Sequence, residues 1–181
     1  PTEIFENNEE KPNIVARIEG NGEEKIMWVG HLDVVPAGKP ENWEYPPYSG
    51  KITSDGRIFG RGTSDMKGAC AAAMIAAKVL KEAPKVPHNF DFWFTSDEEV
   101  GGIEGAHWLS EKGIFEGDLC IIGDGSPGTP TSPTIDLGCK GNAGTSLIAR
   151  GTTAHGSRPF LGENAIDRLI RVIPHVRKIG N

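Results

Sequence analysis

Asn89-Phe90-Asp91-Phe92-Trp93-Phe94-Thr95-Ser96-Asp97-Glu98-Glu99-Val100-Gly101-Gly102 is the stretch on which the fold turns. Its first part, Asn89–Thr95, reads as a strand whose aromatic run Phe90–Phe94 belongs in a core. Three consecutive carboxylates, Asp97, Glu98 and Glu99, follow it directly. On a helix such a run is an ordinary solvated face. At a strand end in an α/β sheet it needs a cation to offset the mutual repulsion.

Upstream, Ile14–Ile18 and Lys25–Val29 are short apolar runs on either side of Asn21-Gly22, which reads as a hairpin or a pair of adjacent strands. Lys51-Ile52 and Arg57-Ile58-Phe59 flank Ser54-Asp55-Gly56, a second hairpin signal. From Met66 to Lys81 the apolar residues Met66, Ala69, Cys70, Ala73, Met74, Ala77 and Leu80 have helical spacing, and Pro84 and Pro87 end the run. Downstream, Gly105–Glu111 predicts a short helix closed by Gly113, and Leu119–Ile122 a strand. This alternation of strand and helix predicts an α/β sheet with its chemistry at strand ends. Gly125–Pro133 reads as a linker or substrate loop. Beyond it lie a strand over about Thr145–Arg150 and a helix from about Asn164, which Pro174 is expected to interrupt. One strand and one helix are too little to close a core, so the chain reads as part of a larger protein.

The bulk properties narrow the class. Of 181 residues, 37% are apolar, and Lys+Arg 19 against Asp+Glu 25 leave a net charge of -6. That suits a folded, acidic domain and argues against a nucleic-acid binder. No apolar run is long enough for a membrane-spanning helix. Cys70, Cys120 and Cys139 are widely spaced and form neither a disulfide framework nor a Cys-x-x-Cys site, so a reducing cytoplasm is the expected home. Glycine is in excess, with 24 residues, which points to many tight turns around a site.

Four places carry acids or an imidazole at the edge of a sheet element. In His31-Leu32-Asp33 the two polar residues project to one face of a strand, and the carboxylate of Asp33 can support the imidazole. A loop histidine beside a turn aspartate reads as readily. Asp65, in Gly60-Arg61-Gly62-Thr63-Ser64-Asp65-Met66-Lys67-Gly68, stands where a helix cap would stand, but the surrounding glycines predict a close backbone approach. Asp124 follows the Leu119–Ile122 strand as the acid run follows Phe94. Carboxylates with an imidazole suit Zn, Mn or Co, and two ions sharing a carboxylate suit a hydrolase.

Gly30-His31-Leu32-Asp33-Val34-Val35-Pro36, Trp43, Pro46-Pro47, Gly60-Arg61-Gly62, Asp65-Met66-Lys67-Gly68 and Asp97-Glu98-Glu99, taken in order, resemble the dizinc family of succinyl-diaminopimelate desuccinylase, acetylornithine deacetylase, aminoacylase and glutamate carboxypeptidase. The resemblance runs from about Ile26 to Asp167. It implies an α/β, mixed-sheet catalytic domain with helices on both faces over residues 1–140, and over 141–181 the beginning of an inserted α+β lid domain.

It further implies that His31 ligates one metal, that Asp65 bridges two, that Glu99 ligates the second, and that Asp124 takes a ligand position usually held by Glu. Glu98 is then the general base, Asp33 supports His31, and His155, in His155-Gly156-Ser157-Arg158-Pro159, stabilises the oxyanion. The implied cofactor is zinc, two ions per complete subunit, with Co or Mn as substitutes. The implied activity is hydrolysis of the amide bond of N-acyl amino acids by a metal-activated water. A dipeptidase or carboxypeptidase of the same family, or a non-catalytic metal-binding fragment, are the competing readings. The implied partners are a small N-acyl amino acid or short peptide and a second subunit docked through the lid as a homodimer, with neither nucleic acid nor membrane. His88 and His107 lack motif context, and His175 lies in the expected lid helix.

Overall fold

The apolar runs assemble around β6, Asn89–Thr95, in a computed structural model that describes residues 1–124, 134–138, 141 and 144–179. Four further strands build the sheet: β1 (Thr2–Phe5), β2 (Asn13–Ile18), β3 (Lys25–His31) and β7 (Leu119–Ile122). The order is β1-β2-β6-β3-β7, with β1, β2 and β6 antiparallel in sequence and β6, β3 and β7 parallel. The sheet is therefore mixed, as expected. A small antiparallel hairpin, β4 (Lys51–Ile52) with β5 (Ile58–Phe59), stands apart from it. Gly56, at φ 81°, lies in its turn.

The expected pairing of the second and third strands is not observed, because β6 inserts between them. Asn21 N–H donates to the Val86 carbonyl (2.9 Å) and Gly20 N–H to Asn89 Oδ1 (3.1 Å). The Gly20–Gly22 turn thus packs on the segment entering β6 instead of closing a two-residue hairpin. The strand with the aromatic run takes the sheet's centre, where Phe92, Trp93 and Phe94 are all buried.

The two parallel crossovers run in opposite directions across the sheet, β3 to β6 and β6 to β7. Right-handed crossovers of opposite direction place their helices on opposite faces. Helix α1 (Gly68–Glu82) carries Cys70 and Ala73 and, with Met66, meets Phe92 and Phe94. Helix α2 (Ala106–Glu111) brings Leu109 to Val15, Met27, Val29 and Trp93 on the other face. Alternate residues of β6 thus feed two separate cores. Gly113, at φ 65°, follows α2 as the glycine signal predicts.

The chain divides into two compact units, Pro1–Asp136 and Leu137–Asn181. In the second, Thr152 bridges Glu163, and α3 spans Ala165–Ile179 with the Asn164 side chain accepting from Ile166 N–H (2.9 Å). The expected strand over 145–150 is not formed. Ile148 is 83% exposed there, and no partner strand is present among the described residues to supply ladder bonds. Nor does Pro174 end α3: it lies inside the helix, which loses one backbone donor there and continues. The expected loop over 125–133 and Cys139 lie outside the described residues.

Candidate metal centre

Three parallel strands end side by side. His31 closes β3 opposite Thr95 of β6, Leu32 N–H donates to the Thr95 carbonyl (2.8 Å), and Gly123 N–H donates to the Val29 carbonyl (3.0 Å). His31, Glu98 and Asp124 are delivered to one end of the sheet, the carboxyl end where open α/β sheets carry their sites. Asp65 arrives from the turn before α1. Gly62 there has φ 81°, and a Cβ on it would lie 2.6 Å from Val34 Cγ1. The glycine therefore serves a left-handed turn pressed against the loop after His31.

His31 is 2% exposed. Its Nε2 lies 2.9 Å from Asp65 Oδ1, 3.8 Å from Glu98 Oε2 and 3.9 Å from Asp124 Oδ2. Its Nδ1 lies 3.1 Å from the Asp33 carbonyl and 3.5 Å from Asp33 Oδ1. Burial pulls the imidazole pKa down, but the Asp33 carbonyl, the Asp65 carboxylate and the charges of Glu98 and Asp33 outweigh it, and the net direction is upward. Burial also pushes the Glu98 carboxyl up, helped by Asp124, Glu99 and Asp33 and opposed by His31.

His31, Asp65 and Asp124 offer one ligand atom each, all within 4.8 Å of one another. One buried imidazole and two exposed carboxylates make a donor set suited to a first-row divalent ion, zinc included. Glu99 is turned elsewhere: its Oε1 accepts from Val35 N–H at 3.2 Å. Asp33 does more than stand behind His31, since its two carboxylate oxygens accept from the N–H groups of Glu98 (3.2 Å) and Glu99 (3.0 Å).

Part of the repulsion expected in the acid run is offset by a cation of the chain itself. Asp97, 4% exposed, already accepts from Lys11 Nζ at 2.5 Å, and its carboxyl is held below the ordinary range mainly by that bond. Lys11 and Asn13 are not evident from the sequence because an ammonium just before a strand and an amide opening it carry no metal or acid–base spacing. Only Asn13, a polar residue opening an apolar run, offered a signal. His155 belongs to the unit Leu137–Asn181, exposed, with Nδ1 2.9 Å from Ser157 Oγ.

Fold and site together define a mixed-sheet α/β domain of the metallopeptidase kind. Residues 27–140 match the pattern of peptidase family M20/M25/M40, and the chain belongs to that family. It is 39% identical over 171 residues to a probable succinyl-diaminopimelate desuccinylase of Staphylococcus aureus, covering 93% of this chain and 41% of that protein. It is 35% identical to the succinyl-diaminopimelate desuccinylase of Blochmanniella floridana, covering 92% and 45%. The chain therefore spans less than half the length of these relatives. Among solved structures, an M20 family metallo-carboxypeptidase from Sulfolobus solfataricus superimposes with a TM-score of 0.59 at 26% identity, covering 71% of this chain and 30% of that one. A tripeptidase from Staphylococcus aureus shares the fold at a TM-score of 0.58 and 23% identity, covering 90% and 42%.

Proposed function

We propose that this chain carries the metal centre of an amide hydrolase acting on N-acyl amino acids, of the desuccinylase or deacetylase type. The observation that carries the reading is the meeting of His31, Asp65 and Asp124 beside Glu98, a carboxyl whose pKa is raised. The desuccinylase names of the relatives support the choice of acyl substrate.

In this reading His31, Asp65 and Asp124 hold one zinc ion, and Asp65 with Glu99 takes part in holding a second. Zinc bound there supplies Lewis-acid polarisation of the amide carbonyl and lowers the pKa of a water. Glu98 keeps its carboxylate off the ions, takes the proton of the attacking water and delivers it to the leaving amine. A carboxyl that burial pushes upward is suited both to accept and to return that proton. Asp33 orients His31 and the backbone of Glu98, and His155 donates to the developing oxyanion. Residues 1–140 belong to the catalytic domain, and 141–181 begin a lid through which two subunits pair. The protein acts in the cytoplasm on small substrates.

The test uses the full-length protein loaded with zinc. N-succinyl and N-acetyl amino acids should be hydrolysed in preference to dipeptides. Glu98→Gln should retain the metal and lose about 10²–10⁴-fold in kcat. Preference for dipeptides would favour the peptidase reading, which the carboxypeptidase neighbour supports. Bound zinc without hydrolysis of either class would leave a metal-binding module.

A further inference from the structure

The turn bearing Glu98 is tied at both ends to Lys11–Asn13, where the chain enters β2. Lys11 Nζ donates to Asp97 Oδ1 at 2.5 Å, joining a side chain that is 40% exposed to one that is 4% exposed. Asp97 then closes the turn on itself: its Oδ2 accepts from Glu104 N–H (3.0 Å) and its carbonyl from Gly102 N–H (2.6 Å). Asn13, 0% exposed, uses both ends of its amide. Its Nδ2 donates to the Glu104 carbonyl (2.9 Å), and its Oδ1 accepts from Ser96 N–H (3.1 Å). Ser96 Oγ donates to the Lys11 carbonyl (2.9 Å). Segment 96–104 is thereby bracketed by Lys11 and Asn13 on one side and by Asp33 on the other.

This bracket holds a backbone conformation that few residues other than glycine, asparagine and aspartate adopt. Asp97 has φ 69°, in the left-handed region that non-glycine residues seldom adopt. The strain is local to the residue before Glu98, and the groups that offset it are those of Lys11, Gly102 and Glu104. A half-exposed ion pair adds little to global stability. A proton-transfer group displaced by about an ångström, in contrast, can lose roughly a hundredfold in rate.

We infer that Lys11, through Asp97, and Asn13, through Ser96 and Glu104, are positioning residues for Glu98. They set where the Glu98 backbone stands relative to Asp33 and His31 and touch neither metal nor substrate. The inference rests on the reading of Glu98 as the proton-transfer group.

In the full-length protein loaded with zinc, Lys11→Met should lower kcat roughly ten- to a hundredfold, with KM and bound zinc unchanged. Lys11→Arg, which keeps the charge and the reach, should restore most of the rate. Amide exchange at Gly102 and Glu104 should be faster in Lys11→Met, while the β3 and β6 amides stay protected. A rise in KM at constant kcat, or an equal loss of rate in both variants, would overturn the inference. The exchange measurement separates the two ideas. Unchanged exchange in an active enzyme defeats the clamp, whereas faster exchange in a protein without hydrolase activity supports the clamp and defeats the proposed function.

Discussion

The Asp33 carboxylate accepts the backbone N–H of Glu99 at 3.0 Å, so the residue expected behind His31 also carries the acid turn. One oxygen binds Glu99 N–H, the other Glu98 N–H, and the Asp33 carbonyl faces His31 Nδ1. A single residue thus couples the end of β3 to the turn after β6. Two of those three contacts need its side chain, and one needs only its backbone.

Asp33→Asn separates these roles. The imidazole keeps its carbonyl partner, so zinc affinity should change little. The acid turn loses charge-assisted bonds and Glu98 loosens, so kcat of the full-length protein should fall roughly ten- to a hundredfold. Zinc titration beside steady-state kinetics reads both quantities. A loss of zinc binding that matched the loss of rate would mean that Asp33 acts chiefly through His31.

The ligand geometry predicts that this chain by itself holds one of the two proposed ions more tightly than the other. His31, Asp65 and Asp124 can close on one ion, while Glu99 is engaged with Val35 N–H. Calorimetric titration should give one tightly held zinc, lost in His31→Ala and little affected in Glu99→Ala. Two equally tight sites, or loss with Glu99 and not with His31, would show the assignment to be wrong.

Protons compete with zinc at His31 and also bind Glu98 beside it, and the sign can be worked out. His31 is raised above its ordinary 6.5 and Glu98 above its ordinary 4.5. A raised pKa means the folded state binds protons more tightly, so that stability is present at low pH and lost as pH rises through the folded value. Asp97 runs the other way: its lowered pKa contributes stability above its ordinary 3.8, lost as pH falls below that. The metal-free chain should therefore melt at a lower temperature at pH 8 than at pH 5.5. Saturating zinc should invert that order, because binding requires the deprotonated imidazole and carboxylates. Thermal melts with chelator and with zinc test this, and a metal-free melting temperature that rises over the window would refute it.

What the sequence disclosed depends on whether the decisive interaction is local. Strand β6, helix α1 and the small hairpin follow from apolar spacing and turn residues, whereas His31, Asp65 and Asp124 become candidates through their places at element ends and ligands only through the family resemblance. Strand order does not: nothing in Ile14–Ile18 or Lys25–Val29 says that Asn89–Thr95 will pass between them. The ties of Lys11 to Asp97 and of Asn13 to Ser96 span 86 and 83 positions. Such contacts exist only once the sheet has formed. Strand β1 was missed for a related reason, as its four exposed or half-exposed residues, Thr2–Phe5, carry little alternation and gain order by pairing with β2.

The closest backbone approach near the acid turn gives the last prediction. A Cβ on Gly105 would stand 2.0 Å from the Ser96 carbonyl oxygen, a backbone atom that no side-chain rotation can move. Ser96 is in turn held by Asn13 Oδ1 on its N–H and by the Lys11 carbonyl on its hydroxyl. Gly105→Ala must therefore push α2 away from the end of β6, at a cost of about 1–3 kcal/mol typical of overpacking. Leu109→Ala, which empties a fully buried position one turn further along α2, should cost roughly 2–5 kcal/mol. The two variants differ in where the damage falls. Leu109→Ala removes core volume on the face away from α1 and should leave the zinc site competent in the folded fraction. Gly105→Ala displaces the segment that anchors Asp97 and Glu104, so faster amide exchange at Gly102 and Glu104 should accompany its loss of stability. Urea denaturation gives the first quantity and hydrogen exchange the second. A Gly105→Ala variant as stable and as protected as the parent would show that the acid turn does not lie against α2 as described.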